Sequence, residues 1–181
     1  MEPLPLVCHP ATPCDYVSAF TASVDRVSDD LLVLYYQVEG DIDQLRLPSQ
    51  RRATHTDGLW KHTCFEAFIR TRSGRGYYEL NFSPSSEWAV YRFDDYRRGM
   101  TPVQPQHPPR IICRRRDGSL EADVDVHLGE LVTKELVLAV AAVLEDQQGR
   151  ISYWALAHPA GKPDFHHPDG FTLNLSGGDV Q

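Results

Sequence analysis

Apolar residues recur at every second position through most of this 181-residue chain, and the three-to-four spacing of an amphipathic helix hardly appears. Such a pattern confines the chain to sheets that each turn one side toward a core, so it predicts an all-β protein. About ten strands follow, near Tyr16–Val27, Leu31–Glu39, Thr63–Thr71, Tyr77–Pro84, Trp88–Tyr96, Arg110–Arg116, Leu120–His127, Glu135–Leu144, Ile151–His158 and Phe171–Leu175. Short connections rich in Gly, Ser, Asp and Pro separate them at 73–76, 84–87, 117–118 and 146–149, as antiparallel neighbours require. The expected architecture is one β-sandwich of two antiparallel sheets, immunoglobulin-like or jelly-roll-like. One domain fits the length, 1–181 with its core between about residues 15 and 176. A short helical turn is expected around Leu128–Thr133, and the proline-rich 102–109 segment reads as a loop crossing between sheets.

Charge narrows the partners. Lys and Arg total 18 against 25 Asp and Glu, a net charge of −7, the wrong sign for a phosphate-binding surface, so nucleic acid is not expected. No stretch approaches the roughly 20 apolar residues of a membrane span. The first residues, with an acidic second position and early prolines, do not resemble a signal peptide. Cys8, Cys14, Cys64 and Cys113 show no metal or redox spacing, so free thiols and a cytoplasmic location are expected.

The two hairpins between residues 63 and 96 invite a register. Pairs summing to 149 set Ile69 by Leu80 and Ala67 by Phe82 on the buried face, with Arg70 by Glu79 outside. Pairs summing to 171 then set Leu80 by Tyr91 inside, and Glu79 by Arg92 and Ser83 by Trp88 outside. Glu79 would sit between two arginines on an outer face shared with Glu66, Asn81 and Trp88, and with Trp60 provided the chain is already extended at residue 60. An outward face carrying tryptophan reads as a binding surface.

The run Leu59-Trp60-Lys61-His62-Thr63-Cys64-Phe65-Glu66, followed by Tyr77-Tyr78-Glu79-Leu80-Asn81-Phe82-Ser83-Pro84, resembles a DOMON-like domain. More narrowly it resembles the bacterial group related to family 9 carbohydrate-binding modules, whose pattern is Trp, Glu six residues on at the start of a strand, then Tyr-x-Glu-x-x-x-x-Pro. The match is strong over Asp57–Phe93 and returns in Ser152–Pro159, Lys162–His166 and Phe171–Leu173. The resemblance implies a single β-sandwich that binds sugar or haem without catalysing a reaction. Within it Trp60 is the candidate platform for a sugar ring and Glu66 the candidate acceptor of sugar hydroxyls. It also implies an arginine, for which Arg92 is the candidate at a departing spacing. A second aromatic expected near the C-terminal strand is replaced here by Phe165, His166 and His167.

The leading expectation is a small sugar or sugar-containing metabolite bound by Trp60, Glu66, Asn81, Trp88 and Arg92, with His158, Asp164 and His166 from the last loop, and with no cofactor. An enzyme is the rival reading, in which His158, Asp164 and His166 form a hydrolytic or metal-dependent site. A haem module would use Met100 and His107, and an interaction module would use the outer Trp and Tyr side chains for a protein partner. Trp154 belongs in the core by its run with Leu156, and Arg114–Arg116 reads as a solvated edge strand.

Overall fold

Each of the ten expected strands is present in the computed structural model, which describes residues 2–129 and 135–176. Three two-residue strands join them. In chain order these are β1 (Leu4–Pro5), β2 (Val7–Cys8), β3 (Val17–Arg26), β4 (Leu31–Gly40), β5 (Cys64–Thr71), β6 (Tyr77–Phe82), β7 (Trp88–Phe93), β8 (Thr101–Pro102), β9 (Arg110–Arg116), β10 (Ser119–His127), β11 (Glu135–Glu145), β12 (Ile151–Ala155) and β13 (Leu173–Ser176). Residues 130–133 of the expected helical turn lie outside the described residues.

Two antiparallel sheets face each other. The first runs β1-β3-β4-β10-β9 and the second β2-β12-β11-β5-β6-β7-β8, with β13 also pairing β11. The proline-rich segment crosses between them, leaving β8 on the second sheet and entering β9 on the first. Alternation is strict through residues 31–39 of β4 and through β10, whose even-numbered residues are buried against the second sheet while odd-numbered ones face outward. The arginines of edge strand β9 lie in the solvated ladder expected of them: Arg114 pairs with Asp123, Arg115 with Asp43 and Arg116 with Glu121. Trp154 is a core residue, its indole N–H donating to Ser152 Oγ at 3.0 Å.

The second sheet departs from the expected pattern because both of its faces are covered. Its inner face, with Phe65, Ala67, Ile69, Leu80 and Phe82, closes the inter-sheet core. Its outer face forms a second apolar cluster that includes Cys64, Phe68, Tyr77, Tyr91 and Phe93, roofed by Leu59, Trp60, Phe165 and Phe171. The expected open interaction face is therefore an interior.

Register explains two further corrections. In the first hairpin Ala67 pairs with Leu80 and Ile69 with Tyr78, two residues from the expected pairing and with the same inside-outside assignment. In the second, Leu80 pairs with Val90, Glu79 with Tyr91 and Phe82 with Trp88, a one-residue difference that exchanges the faces of β7. Trp88 thus points into the inter-sheet core and Tyr91 outward. The cause is the turn, a three-residue loop ending on Ser86 at φ 78°, closed by Ser83 N–H donating to Glu87 O at 2.9 Å. Three-residue hairpin loops need a left-handed residue at that place, usually glycine. Nor does Glu79 lie between two arginines. Arg70 pairs with Val137, and Arg92 pairs with Tyr78 and makes an ion pair with Asp94 at 3.5 Å.

Candidate ligand cavity

One cross-strand row on the outer face of the second sheet reads Ala155, Ala141, Glu66, Asn81, Ala89. Three alanines in five positions leave space above the carboxyl between them. That space opens into a cavity of about 620 Å³ lined by Trp60, Glu66, Glu79, Tyr153, Phe165 and His166, among others. Trp60 and Glu66, expected together from the sequence, do line one cavity.

Two segments bring the walls. Gly58, at φ 78°, takes the left-handed turn that a side chain resists and starts the single 3-10 turn Leu59–Lys61 that carries Trp60. The half-buried indole meets Tyr91 edge-to-face at 5.6 Å, and the Tyr91 hydroxyl donates to Asp57 Oδ1 at 2.7 Å. On the other side the loop between β12 and β13 sets Phe165 edge-on to Tyr153 at 5.7 Å and to Phe68 at 6.3 Å. Phe165 supplies the second aromatic wall.

The polar floor is buried. Glu66 is 2% exposed, Glu79 5% and Asn81 fully buried. The Asn81 amide donates to Glu79 Oε1 at 2.9 Å, and the Cys64 thiol donates to Asn81 Oδ1 at 3.6 Å. Glu66 Oε1 has no hydrogen-bond partner. His62 does not supply one, since it is bound to Glu145 at 2.7 Å. Burial, and then the neighbouring Glu79, hold the Glu66 carboxyl well above the ordinary carboxylate range. Burial also raises Glu79, opposed by the Asn81 hydrogen bond and by Arg97.

His166 lies beside them, its Nε2 3.7 Å from Glu79 Oε2. Its Nδ1 is 2.7 Å from the Tyr77 hydroxyl, which itself accepts the Arg97 backbone N–H at 3.2 Å. With the imidazole neutral, the tyrosine hydroxyl donates to Nδ1 and the ring hydrogen sits on Nε2. Burial, reinforced by the Arg97 charge, lowers this imidazole to about 4. Arg97, a non-glycine residue at φ 52°, donates to Asp164 Oδ1 at 2.7 Å, and Asp164 also accepts from the Tyr96 hydroxyl and the His166 backbone N–H. Asp164 therefore works as the clasp of the loop.

The remaining sequence candidates lie elsewhere. Trp88 is in the core, and Arg92 lines a second cavity of about 630 Å³ between the sheets. His158 Nε2–H donates to Val7 O at 2.8 Å, and the ring packs edge-on against His9. It does not join Asp164 and His166 in a triad. Among the described residues no group of three or more His, Cys, Asp or Glu side chains is arranged to hold a metal. Met100 lines the first cavity and His107 the second, so the expected axial pair for haem is not assembled. Sequence reasoning missed Arg97 and Tyr77, which act through a positive-φ turn and a contact 89 residues away.

The buried acid has a consequence for stability. A carboxyl whose folded pKa is raised holds its proton after the unfolded chain has released one, so the folded state loses stability as pH rises above the ordinary carboxylate range. Glu66→Gln should therefore melt higher than the wild type at pH 8 and close to it at pH 4. Thermal melts in which the variant is less stable at pH 8 would refute the assignment of a strained acid.

No protein-family model matches the chain, and no curated protein sequence is significantly similar to it. Solved structures do match. A Bacteroides uniformis ATCC 8492 protein provisionally assigned as carbohydrate-binding superposes with a TM-score of 0.72 at 14% identity, over 97% of this chain and 84% of that one. A family 9 carbohydrate-binding module from Caldicellulosiruptor kristjanssonii, in complex with glucose, gives 0.56 at 10% identity over 94% and 82%. A family 9 module of the same organism with cellotriose gives 0.53 at 12% identity, over 97% and 81%. The chain shares the β-sandwich fold of these structures.

Proposed function

We propose that this protein is a non-catalytic module that binds a small sugar, or a metabolite containing one, in the cavity between Trp60 and Phe165. The observation that carries the reading is Glu66: a buried carboxyl with an unpartnered oxygen on the floor of an aromatic-walled cavity. Buried acceptors are normally satisfied, and a sugar offers both the hydroxyl that would satisfy this one and the apolar C–H face that an aromatic ring takes up. The glucose and cellotriose held by family 9 modules of this fold support the same ligand class. A tie to DOMON-like relatives and a reducing, cytoplasmic setting for the four free thiols belong to the same proposal.

Calorimetry with a panel of mono- and disaccharides tests it. Trp60→Ala should weaken any sugar that binds by about 5- to 150-fold, the equivalent of the roughly 1–3 kcal/mol that a buried aromatic contact contributes. An unchanged affinity in a Trp60→Ala protein with wild-type circular dichroism would place the site elsewhere.

A further inference from the structure

The charge balance at the bottom of the cavity is incomplete, and it says something about the ligand beyond its being a sugar. Glu66 on β5 and Glu79 on β6 are diagonal neighbours on the same face, since Glu66 pairs with Asn81 and Phe68 with Glu79. Diagonal positions on adjacent strands are within reach of long side chains. Both carboxyls are more than nine-tenths buried and line the cavity, and one oxygen of Glu66 is unpartnered. The groups around them do not neutralise the pair. Asn81 and Cys64 are neutral, burial keeps the His166 imidazole, 3.7 Å from Glu79, uncharged, and Arg97, which also lines the cavity and draws Glu79 part of the way back, has its guanidinium hydrogen-bonded to Asp164. Lys162 also lines the cavity but is exposed, at the rim.

We infer that the ligand is an amino sugar whose ammonium group lies between the carboxyls of Glu66 and Glu79. The inference rests on the sugar-binding reading and sharpens it. A neutral hydroxyl would satisfy Glu66 Oε1 yet leave two like charges, or one suppressed charge, in a site that the ligand dries further. An ammonium supplies up to three donors and the missing positive charge at once, which allows both carboxyls to ionise. Binding then exchanges a proton: the ammonium enters as R–NH₃⁺, Glu66 passes from carboxylic acid to carboxylate, and its proton leaves to solvent. Rim and floor also differ in sign, with Lys162 and Arg97 toward solvent and the acid pair inside, so the amine end of the ligand lies deepest.

Calorimetry at pH 6.5 with glucosamine, galactosamine and mannosamine, each against its neutral parent sugar and its N-acetyl derivative, decides the matter. At least one amine should bind ten times more tightly than both its parent and its N-acetyl form, with a heat that varies with the ionisation enthalpy of the buffer. In Glu66→Gln, and separately in Glu79→Gln, that preference, read as the ratio of amine to parent-sugar affinity within the same variant, should fall to within about threefold. If neutral sugars bind and no amine is preferred, the inference fails and the sugar-binding reading stands. A preference that survives in both variants also overturns it, because the charge would then be read elsewhere. If no sugar in the panel binds, both readings fail together.

Discussion

Phe65→Ala is expected to lower the unfolding free energy by about 3–5 kcal/mol, the range for truncating a fully buried aromatic residue in a packed core. Phe65 is fully buried and is the point where the two sheets lock together. Its ring lies 4.9 Å from Tyr36 of β4 and 6.3 Å, edge-on, from Phe20 of β3. The Tyr36 hydroxyl in turn donates to the backbone carbonyl of Glu66 at 2.9 Å, so the same lock holds the backbone under the cavity floor. Urea unfolding should show the midpoint falling with little change in slope, as expected when stability changes but the area exposed does not. A loss under 1.5 kcal/mol would mean that the sheets do not depend on this contact.

The second large effect is on acid stability. An imidazole held at about 4 when folded and near its ordinary 6.5 when unfolded takes up its proton only on unfolding over that interval, so stability falls as pH drops from about 6.5 to 4 and this contribution is gone below. At about 1.4 kcal/mol for each tenfold change in proton activity, the loss amounts to about 3 kcal/mol. The groups facing His166 titrate differently. Raised Glu79 acts in the opposite sense, gaining stability on acidification, and lowered Asp164 loses its contribution at still lower pH. The measurement is therefore a difference: denaturation of the wild type and His166→Gln every half pH unit from 7 to 4. The wild type should lose about 3 kcal/mol more than the variant across the interval. Parallel curves would show that the imidazole is not held neutral.

Much of the scaffold was legible because a period of two is a direct physical consequence of a pleated strand. Strand parity carried back to residue 60, together with the family resemblance, pairs Trp60 with Glu66, but Leu59–Lys61 is a 3-10 turn, so Trp60 reaches the cavity by folding over the sheet and not by alternation. Trp88 could not be placed. Its face depends on the parity of one turn, and the left-handed position of that turn holds Ser86, which carries none of the signal a glycine would. The covered outer face was hidden for a different reason. Glu66, Glu79 and Asn81 are polar, and alternation reads polar positions as solvent-facing, whereas here residues 54–62 and 156–172 fold over them. The row of alanines at 89, 141 and 155 was visible as letters, but only strand order brings them beside Glu66.

β11 takes two partners in turn on one side, β13 beside Glu135–Leu138 and β12 beside Ala141–Glu145. The loop that carries Asp164, Phe165 and His166 therefore leaves and returns to the same strand, stapled to one rail at both ends. Its ordering entropy is settled when the protein folds rather than when a ligand arrives. Such a loop has the anchoring of a replaceable cassette: exchanging residues 157–170 is expected to alter the cavity wall while the rail and the sandwich beneath it stay as they are.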